Sequence, residues 1–239
     1  MCVTQLVATP LLDVKLAVSP AGTMFDVGFG VALALPGDLN GDGADDFAVG
    51  ATSTDYDGSY VPGRAHVFFG GSALDDDPAL TLVGEANGDR FGYAVATAGD
   101  LNGDGHADLV AGAYQNDAGG SNAGRAYVHF GGPGLDPVPD LVLTGLAAGE
   151  QFGLAVAGVG DVNGDGRDDL LVGARFNSEG GSEAGKAYVY FGGPGLDAVS
   201  DLVLPSHSAG ERFGFSVARG GDVNGDGAND FLVAAYHNS

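Results

Sequence analysis

The chain has 239 residues, 44 of them glycine and 10 proline, yet 44% are hydrophobic and the mean hydropathy is +0.10, which excludes disorder through low hydrophobicity. Nine basic against 32 acidic residues give a net charge of −23, so nucleic acid is a poor partner. The single cysteine, Cys2, excludes an internal disulfide framework and a multi-cysteine zinc site.

Residues 1–28 come before the regular part of the sequence. Met1 to Gln5 carry no basic residue and Lys15 is the only cation before Arg64, so no signal peptide is legible there. Leu12, Val14, Leu16 and Val18 alternate with Asp13, Lys15, Ala17 and Ser19, a strand pattern, and residues 3–8 read as a second strand. No apolar run approaches the roughly 18 residues of a membrane-spanning helix, so membrane insertion is not expected.

From Phe29 onward one unit recurs. Asp-x-Asn-Gly-Asp-Gly stands at 38–43, 100–105, 161–166 and 222–227. Nine residues before each first aspartate is a Phe-Gly pair: Phe29-Gly30, Phe91-Gly92, Phe152-Gly153 and Phe213-Gly214. Downstream, Gly63-Arg64-Ala65, Gly124-Arg125-Ala126 and Gly185-Lys186-Ala187 each lead into a strand ending in Phe-Gly-Gly. The units are 29–90, 91–151, 152–212 and an incomplete 213–239. Each reads as four short strands rich in valine and aromatics, the second apolar at successive positions and therefore buried on both faces. Four-stranded units at fixed spacing predict an all-β propeller of about four antiparallel blades in a single domain over 1–239. The two N-terminal strands are the right number to complete the fourth blade. Open blade edges otherwise offer a route to self-association.

Within each acidic loop, side-chain oxygens fall at positions 1, 3, 5 and 9. They are Asp38, Asn40, Asp42 and Asp46; Asp100, Asn102, Asp104 and Asp108; Asp161, Asn163, Asp165 and Asp169; and Asp222, Asn224, Asp226 and Asp230. Position 7 is Ala44, His106, Arg167 or Ala228, a variety that suits a backbone carbonyl ligand with an indifferent side chain. Hard oxygen donors without thiolate or imidazole select calcium, about four ions in all. An ordinary acidic turn has no need of three carboxylates within nine residues, four times over. An EF-hand would place glutamate at position 12 and enter a helix, whereas here position 12 is Val49, Ala111, Val172 or Val233 in an apparent strand.

Phe-Gly, then Gly-Asp-(Leu/Val)-Asn-Gly-Asp-Gly-x-x-Asp-(Leu/Phe), then Val-Gly-Ala resembles the FG-GAP repeat of integrin α-subunit β-propellers and their bacterial relatives. The third unit matches closely, through Phe152-Gly153, Gly160 to Gly166, Asp169-Leu170 and Val172-Gly173-Ala174. The resemblance covers residues 29 to 239. It implies that the calcium loops join first to second strands on one face. Ligands would then meet the opposite face, at about 51–62, 113–124, 174–185, 84–90, 145–151 and 206–212. Those loops carry Tyr56, Tyr60, Tyr114, Asn116, Phe176 and Asn177. The family's propellers have seven blades, against four calcium loops here.

The five histidines, His66, His106, His129, His207 and His237, occupy different places in the repeat, and no nucleophile elbow, phosphate loop or His-Glu-x-x-His is present. No catalytic residue is expected. The sequence therefore reads as a calcium-stabilised binding or adhesion module, extracellular, cell-surface or periplasmic, with a protein or carbohydrate ligand. The competing readings are a propeller lyase or hydrolase acting on a polysaccharide, and a structural repeat of a larger surface protein.

Overall fold

A computed structural model describes residues 28–52, 61–71, 77–206 and 208–236, together with the backbone of 4–8 and 12–16. β1 (Thr4–Ala8) and β2 (Leu12–Leu16) pair antiparallel, with Thr4 opposite Leu16. The two strands expected near the N-terminus therefore form. They make a sheet of their own.

The first full blade is β3 (Phe29–Gly37), β4 (Asp46–Ala51), β5 (Arg64–Phe68) and β6 (Leu80–Val83), hydrogen-bonded in that order and antiparallel throughout. The second is β7 (Phe91–Gly99), β8 (Asp108–Ala113), β9 (Arg125–His129) and β10 (Leu141–Thr144). The third is β11 (Ala155–Gly160), β12 (Asp169–Ala174), β13 (Lys186–Tyr190) and β14 (Leu202–Pro205). β15 (Phe213–Gly221) and β16 (Asp230–Ala235) form a further antiparallel pair. The molecule is an all-β propeller of about four blades.

The apolar runs read as second strands are the reason the blades stack. Every residue of β8 and of β12 is buried, because each lies between its own sheet neighbours and the faces of adjoining blades. Three apolar cores result among the described residues. The first holds Val67, Phe91 and Leu109 between the first two blades. The second holds Val128, Phe152 and Leu170 between the second and third. The third holds Val159, Leu171 and Val189, with Phe213 packed against them. Successive first strands, β3, β7, β11 and β15, contact one another in turn and form the innermost layer.

Each first strand runs from its Phe-Gly end down to an acidic loop, and each second strand runs back. All four acidic loops therefore lie at one end of the strands, the lower face. The loops 114–124, 145–151 and 175–185 lie at the other, the upper face. The placement inferred from family resemblance is realised in this topology.

Candidate metal centre

The second loop shows how its residues fold onto one another. Asp100 Oδ1 accepts the amides of Gly103 (2.6 Å) and Asp104 (3.0 Å), and its Oδ2 accepts that of Gly105 (3.0 Å). Asn102 Oδ1 accepts the Asp104 amide at 2.8 Å, and Asp104 Oδ1 accepts that of His106 at 2.9 Å. Short polar side chains that bond backbone two or more residues on are what make a tight turn. The same bonds recur in the other loops around Asp38, Asp161 and Asp222.

Among the described residues, no three acidic, histidine or cysteine side chains are gathered tightly enough to form a metal cluster. The oxygens at positions 1, 3 and 5 are instead turned onto the loop's own amides. Each carboxylate oxygen has a second lone pair beyond the one taken by an amide. The donor set is all oxygen, mostly anionic and largely exposed, so it fits a hard divalent cation. Desolvation would raise the Asp38 carboxyl, but the amides of Gly43, Gly41 and Asp42 outweigh it and hold it below the usual carboxylate value. Asp161 is held down in the same way by Gly166 and Gly164. Asp38 and Asp161 are thus kept ionised.

Position 9 behaves differently. Asp46, Asp108 and Asp169 are fully buried. Asp108 Oδ2 accepts the Leu101 amide at 2.8 Å and its Oδ1 accepts the Gly131 amide at 2.9 Å, tying the loop to the Phe-Gly-Gly at the end of the third strand. Asp46 holds Leu39 and Gly70 alike, and Asp169 holds Val162 and Gly192. Burial pushes Asp108 up to about 6 against the amides of Gly131 and Leu101. Asp46 and Asp169 shift upward for the same reason. The repeated Phe-Gly-Gly was visible in the sequence, but its link to position 9 was not.

The loops are also joined in series. The amides of Ala107, Asp168 and Asn229, each at position 8, donate to the carbonyls of Asp38, Asp100 and Asp161 in the preceding loop, at 3.3, 3.4 and 2.7 Å. Two position 7 side chains add to this link, beside the carbonyl role expected of the position. Arg167 Nη1 donates to the Gly103 carbonyl at 3.0 Å, and the His106 ring lies against Gly41.

At the opposite end, a Phe-Gly pair docks onto the blade before it. Gly63, Gly124 and Gly185 bridge in parallel to Phe91, Phe152 and Phe213. A Cβ on Gly50, Gly112 or Gly173 would come within 1.9, 1.9 or 2.1 Å of the carbonyl oxygen of Gly92, Gly153 or Gly214. Two glycine positions per unit are thus fixed by backbone meeting backbone between blades.

This docking accounts for the repeat, and comparison with known proteins agrees with it. Residues 91–129 and 152–190 match the FG-GAP repeat family. The chain carries FG-GAP repeats. It is 31% identical over 226 residues to integrin alpha-5 of Xenopus laevis, covering 90% of this chain and 20% of that protein. It is 33% identical over 217 residues to integrin alpha-PS2 of Drosophila melanogaster, covering 84% and 15%. Against integrin alpha-V of Gallus gallus it is 31% identical over 236 residues, covering 94% and 22%. The chain therefore spans about a fifth of the length of these relatives.

The upper face of the FG-GAP blades departs from one expectation. Asn116 and Asn177, read as part of an exposed ligand face, are only 3% and 4% exposed. Asn116 Nδ2 donates to Asp89 at 2.6 Å and lies 3.3 Å from the Tyr127 hydroxyl. Asn177 Nδ2 donates to Glu150, whose carboxylate also accepts the Tyr188 hydroxyl at 3.2 Å. Two acids that stand just before a Phe-Gly, Asp89 and Glu150, are thus bonded to an asparagine of the blade that follows, and Glu150 to its tyrosine as well. Burial removes these asparagines from any ligand. Tyr114 and Phe176 remain partly exposed, while Tyr56 and Tyr60 lie outside the described residues. Arg125 and Lys186, which recur at one strand position, pair with Glu85 and Glu179.

Proposed function

We propose that the chain is a calcium-binding FG-GAP propeller module of an extracellular or cell-surface adhesion-type protein, with a protein ligand on its upper face. Four equivalent acidic loops carry the reading. In each, positions 1, 3 and 5 gather side-chain oxygens around one tight turn, with lone pairs left beyond those taken by the loop amides, at Asp38, Asn40 and Asp42; Asp100, Asn102 and Asp104; Asp161, Asn163 and Asp165; and Asp222, Asn224 and Asp226. The position 7 carbonyls of Ala44, His106, Arg167 and Ala228 complete the set, together with Asp46, Asp108, Asp169 and Asp230 at position 9. A bound Ca²⁺ would neutralise the clustered carboxylates and fix the loop that joins the first two strands of its blade. The kinship with integrin alpha chains supports the adhesion setting.

Compartment follows from affinity. The loops lack a bidentate glutamate at position 12, and extracellular calcium modules work at about 10⁻⁴–10⁻³ M. Such sites fill outside a cell and stay empty in a resting cytosol. The single-domain reading keeps units at 29–90, 91–151, 152–212 and 213–239, with the β1–β2 hairpin completing the blade begun by β15 and β16.

Calorimetric titration of the metal-stripped chain tests the calcium reading. It should report about four sites of weak affinity. The melting temperature should fall on EDTA treatment and recover with Ca²⁺ more fully than with Mg²⁺, which gives up its water reluctantly. An EDTA-insensitive melting curve with no heat of Ca²⁺ binding would overturn the reading.

A further inference from the structure

Of the nine cations, Arg64, Arg90, Arg125, Arg175, Lys186 and Arg212 sit at the upper ends of the strands, away from the acidic loops. Arg125, Lys186 and Arg212 are paired with Glu85, Glu179 and Glu183. Arg90 and Arg175 are held in another way. Arg90 Nε donates to Gln115 Oε1 at 3.1 Å and its Nη1 to the Thr52 carbonyl at 3.4 Å. Arg175 Nε donates to Gln151 Oε1 at 3.0 Å. Neutral amides orient these two guanidiniums without cancelling their charge. Neither has a carboxylate partner among the described residues. Asp89 and Asp117 line the same recess as Arg90, but they bond the Asn116 side chain and the Asn122 amide rather than the guanidinium.

The two arginines belong to one constructed surface. Arg90 and Gln151 stand at the same place in successive units, both with φ in the left-handed region, +62° and +57°, a conformation that side-chain-bearing residues seldom adopt. Arg90 bonds Gln115, the residue after Tyr114, and Arg175 bonds Gln151, the counterpart of Arg90 in the next unit. The Tyr114 ring meets Tyr93 edge-on, with centroids 4.7 Å apart. The Arg175 guanidinium lies 4.5 Å from the ring centre of Phe176 and 5.6 Å from that of Phe215. These residues lie at the upper ends of the innermost strands and of those paired with them.

We infer that Arg90 and Arg175, with the Tyr93–Tyr114 pair and Phe176 as walls, form a receptor for a carboxylate side chain on an acidic peptide segment of a protein partner. A guanidinium already oriented through Nε keeps Nη protons to offer as a fork to a carboxylate. Arginine flanked by aromatic rings is the composition of protein-interface anchors. The chain's −23 charge selects against polyanions such as nucleic acid, sulfated glycan or an anionic membrane, because their many charges meet the whole field. One or two carboxylates on a short segment meet chiefly the local cations. The inference rests on the upper face being the ligand face.

NMR titration of the full calcium-loaded chain tests it, with the capped peptide acetyl-Gly-Asp-Gly-amide as probe and its Asn counterpart as control. The Asp peptide should shift the Nε–H resonances of Arg90 and Arg175 saturably, and the Asn peptide should bind about tenfold more weakly or worse. The Arg90→Lys/Arg175→Lys double variant keeps the charge but loses the fork. It should weaken the Asp peptide about tenfold while its amide spectrum stays native. Equal responses to the two peptides, or undiminished binding by a natively folded double variant, would overturn the inference. Tighter binding of glucuronate than of the Asp peptide would overturn the assignment to a protein partner. Saturable shifts confined to other upper-face residues would remove this site yet leave the ligand face. No shift on the upper face with either peptide would remove both.

Discussion

Gly112 and Gly153 meet backbone to backbone across the second and third blades, so closely that a Cβ on Gly112 would stand 1.9 Å from the Gly153 carbonyl oxygen. No rotamer relieves such a contact, because both partners are main chain. Gly112→Ala is expected to force the blades apart and to cost about 3 kcal/mol or more, at the upper end of overpacking penalties. The fourth unit offers a control, since it carries Ala234 where the third has Gly173. Ala234→Gly should cost about 1 kcal/mol or less, the ordinary penalty of glycine in a strand. Urea midpoints of the two variants in calcium check this, and equal losses would count against the docking role.

The loop carboxylates should divide by position. Asp108 is buried and holds the Leu101 and Gly131 amides, whereas Asp104 is exposed and bonds only within its own loop. Asp108→Ala strands two buried donors at about 1–3 kcal/mol each, so it should destabilise the chain already in EDTA, and further in calcium by the loss of a ligand. Asp104→Ala should cost well under 1 kcal/mol in EDTA and show its effect only as a lost calcium site. Melting curves with and without EDTA separate the two behaviours. Matching calcium-dependent losses would mean that position 9 is a ligand first and a tether second.

Much of this fold was legible because period and landmark coincide. Phe-Gly at nine residues before each acidic loop marked the start of β3, β7 and β15 and came three residues ahead of β11, and the unbroken apolar runs marked β8 and β12 as buried on both faces. What escaped the sequence were contacts between units. Nothing local to Asn116 or Asn177 says that an acid 27 residues earlier will bury each of them, and the same residue type in an exposed loop reads as a polar contact for a ligand. The tether from Asp108 to Gly131 spans 23 residues and closes only once the third strand has paired. Arg90 and Arg175 were likewise unmarked, since their amide partners lie 25 and 24 residues away.

His129 should make the fold sensitive to acid. It is 1% exposed in β9, at the place held by Phe68 and Tyr190 in the neighbouring units, and neither ring nitrogen has a hydrogen-bond partner among the described residues. Burial lowers its pKa from 6.5 to about 4, against the pull of the Asp140 and Asp136 carboxylates and of the nearby Asp136 and Val138 backbone, neither of which is placed to bond the ring. The folded value lies below the unfolded one, so the stability held by the neutral ring is intact above about pH 6.5 and is lost as pH falls toward about 4. The loss amounts to roughly 3 kcal/mol at most. His129→Phe should fit the aromatic position, raise stability at neutral pH by about 1 kcal/mol, and flatten the decline between these pH values. Urea midpoints at pH 7.5, 5.5 and 4.5 in excess calcium test it; an unchanged slope with pH would assign the acid sensitivity to other groups.

Glu150 carries the last expectation, because its carboxylate joins two blades. It is 1% exposed, accepts the amides of Leu146 and Ala147 in the loop leaving the second blade, and also accepts from Asn177 and Tyr188 in the third. Glu150→Ala would leave the buried Asn177 amide and Tyr188 hydroxyl, and the more open amides of Leu146 and Ala147, without their acceptor and should cost about 3 kcal/mol. Glu150→Gln should recover only part of that. Its Oε1 can still take the two amides, but its NH₂ would face the NH₂ of Asn177, donor against donor. Pairing Glu150→Gln with Asn177→Asp restores a donor and an acceptor in reversed order, so the double variant should be more stable than the sum of the two single losses predicts. Chemical denaturation of the four chains in calcium gives that coupling directly, and additive losses would show that Glu150 and Asn177 contribute separately rather than as one latch.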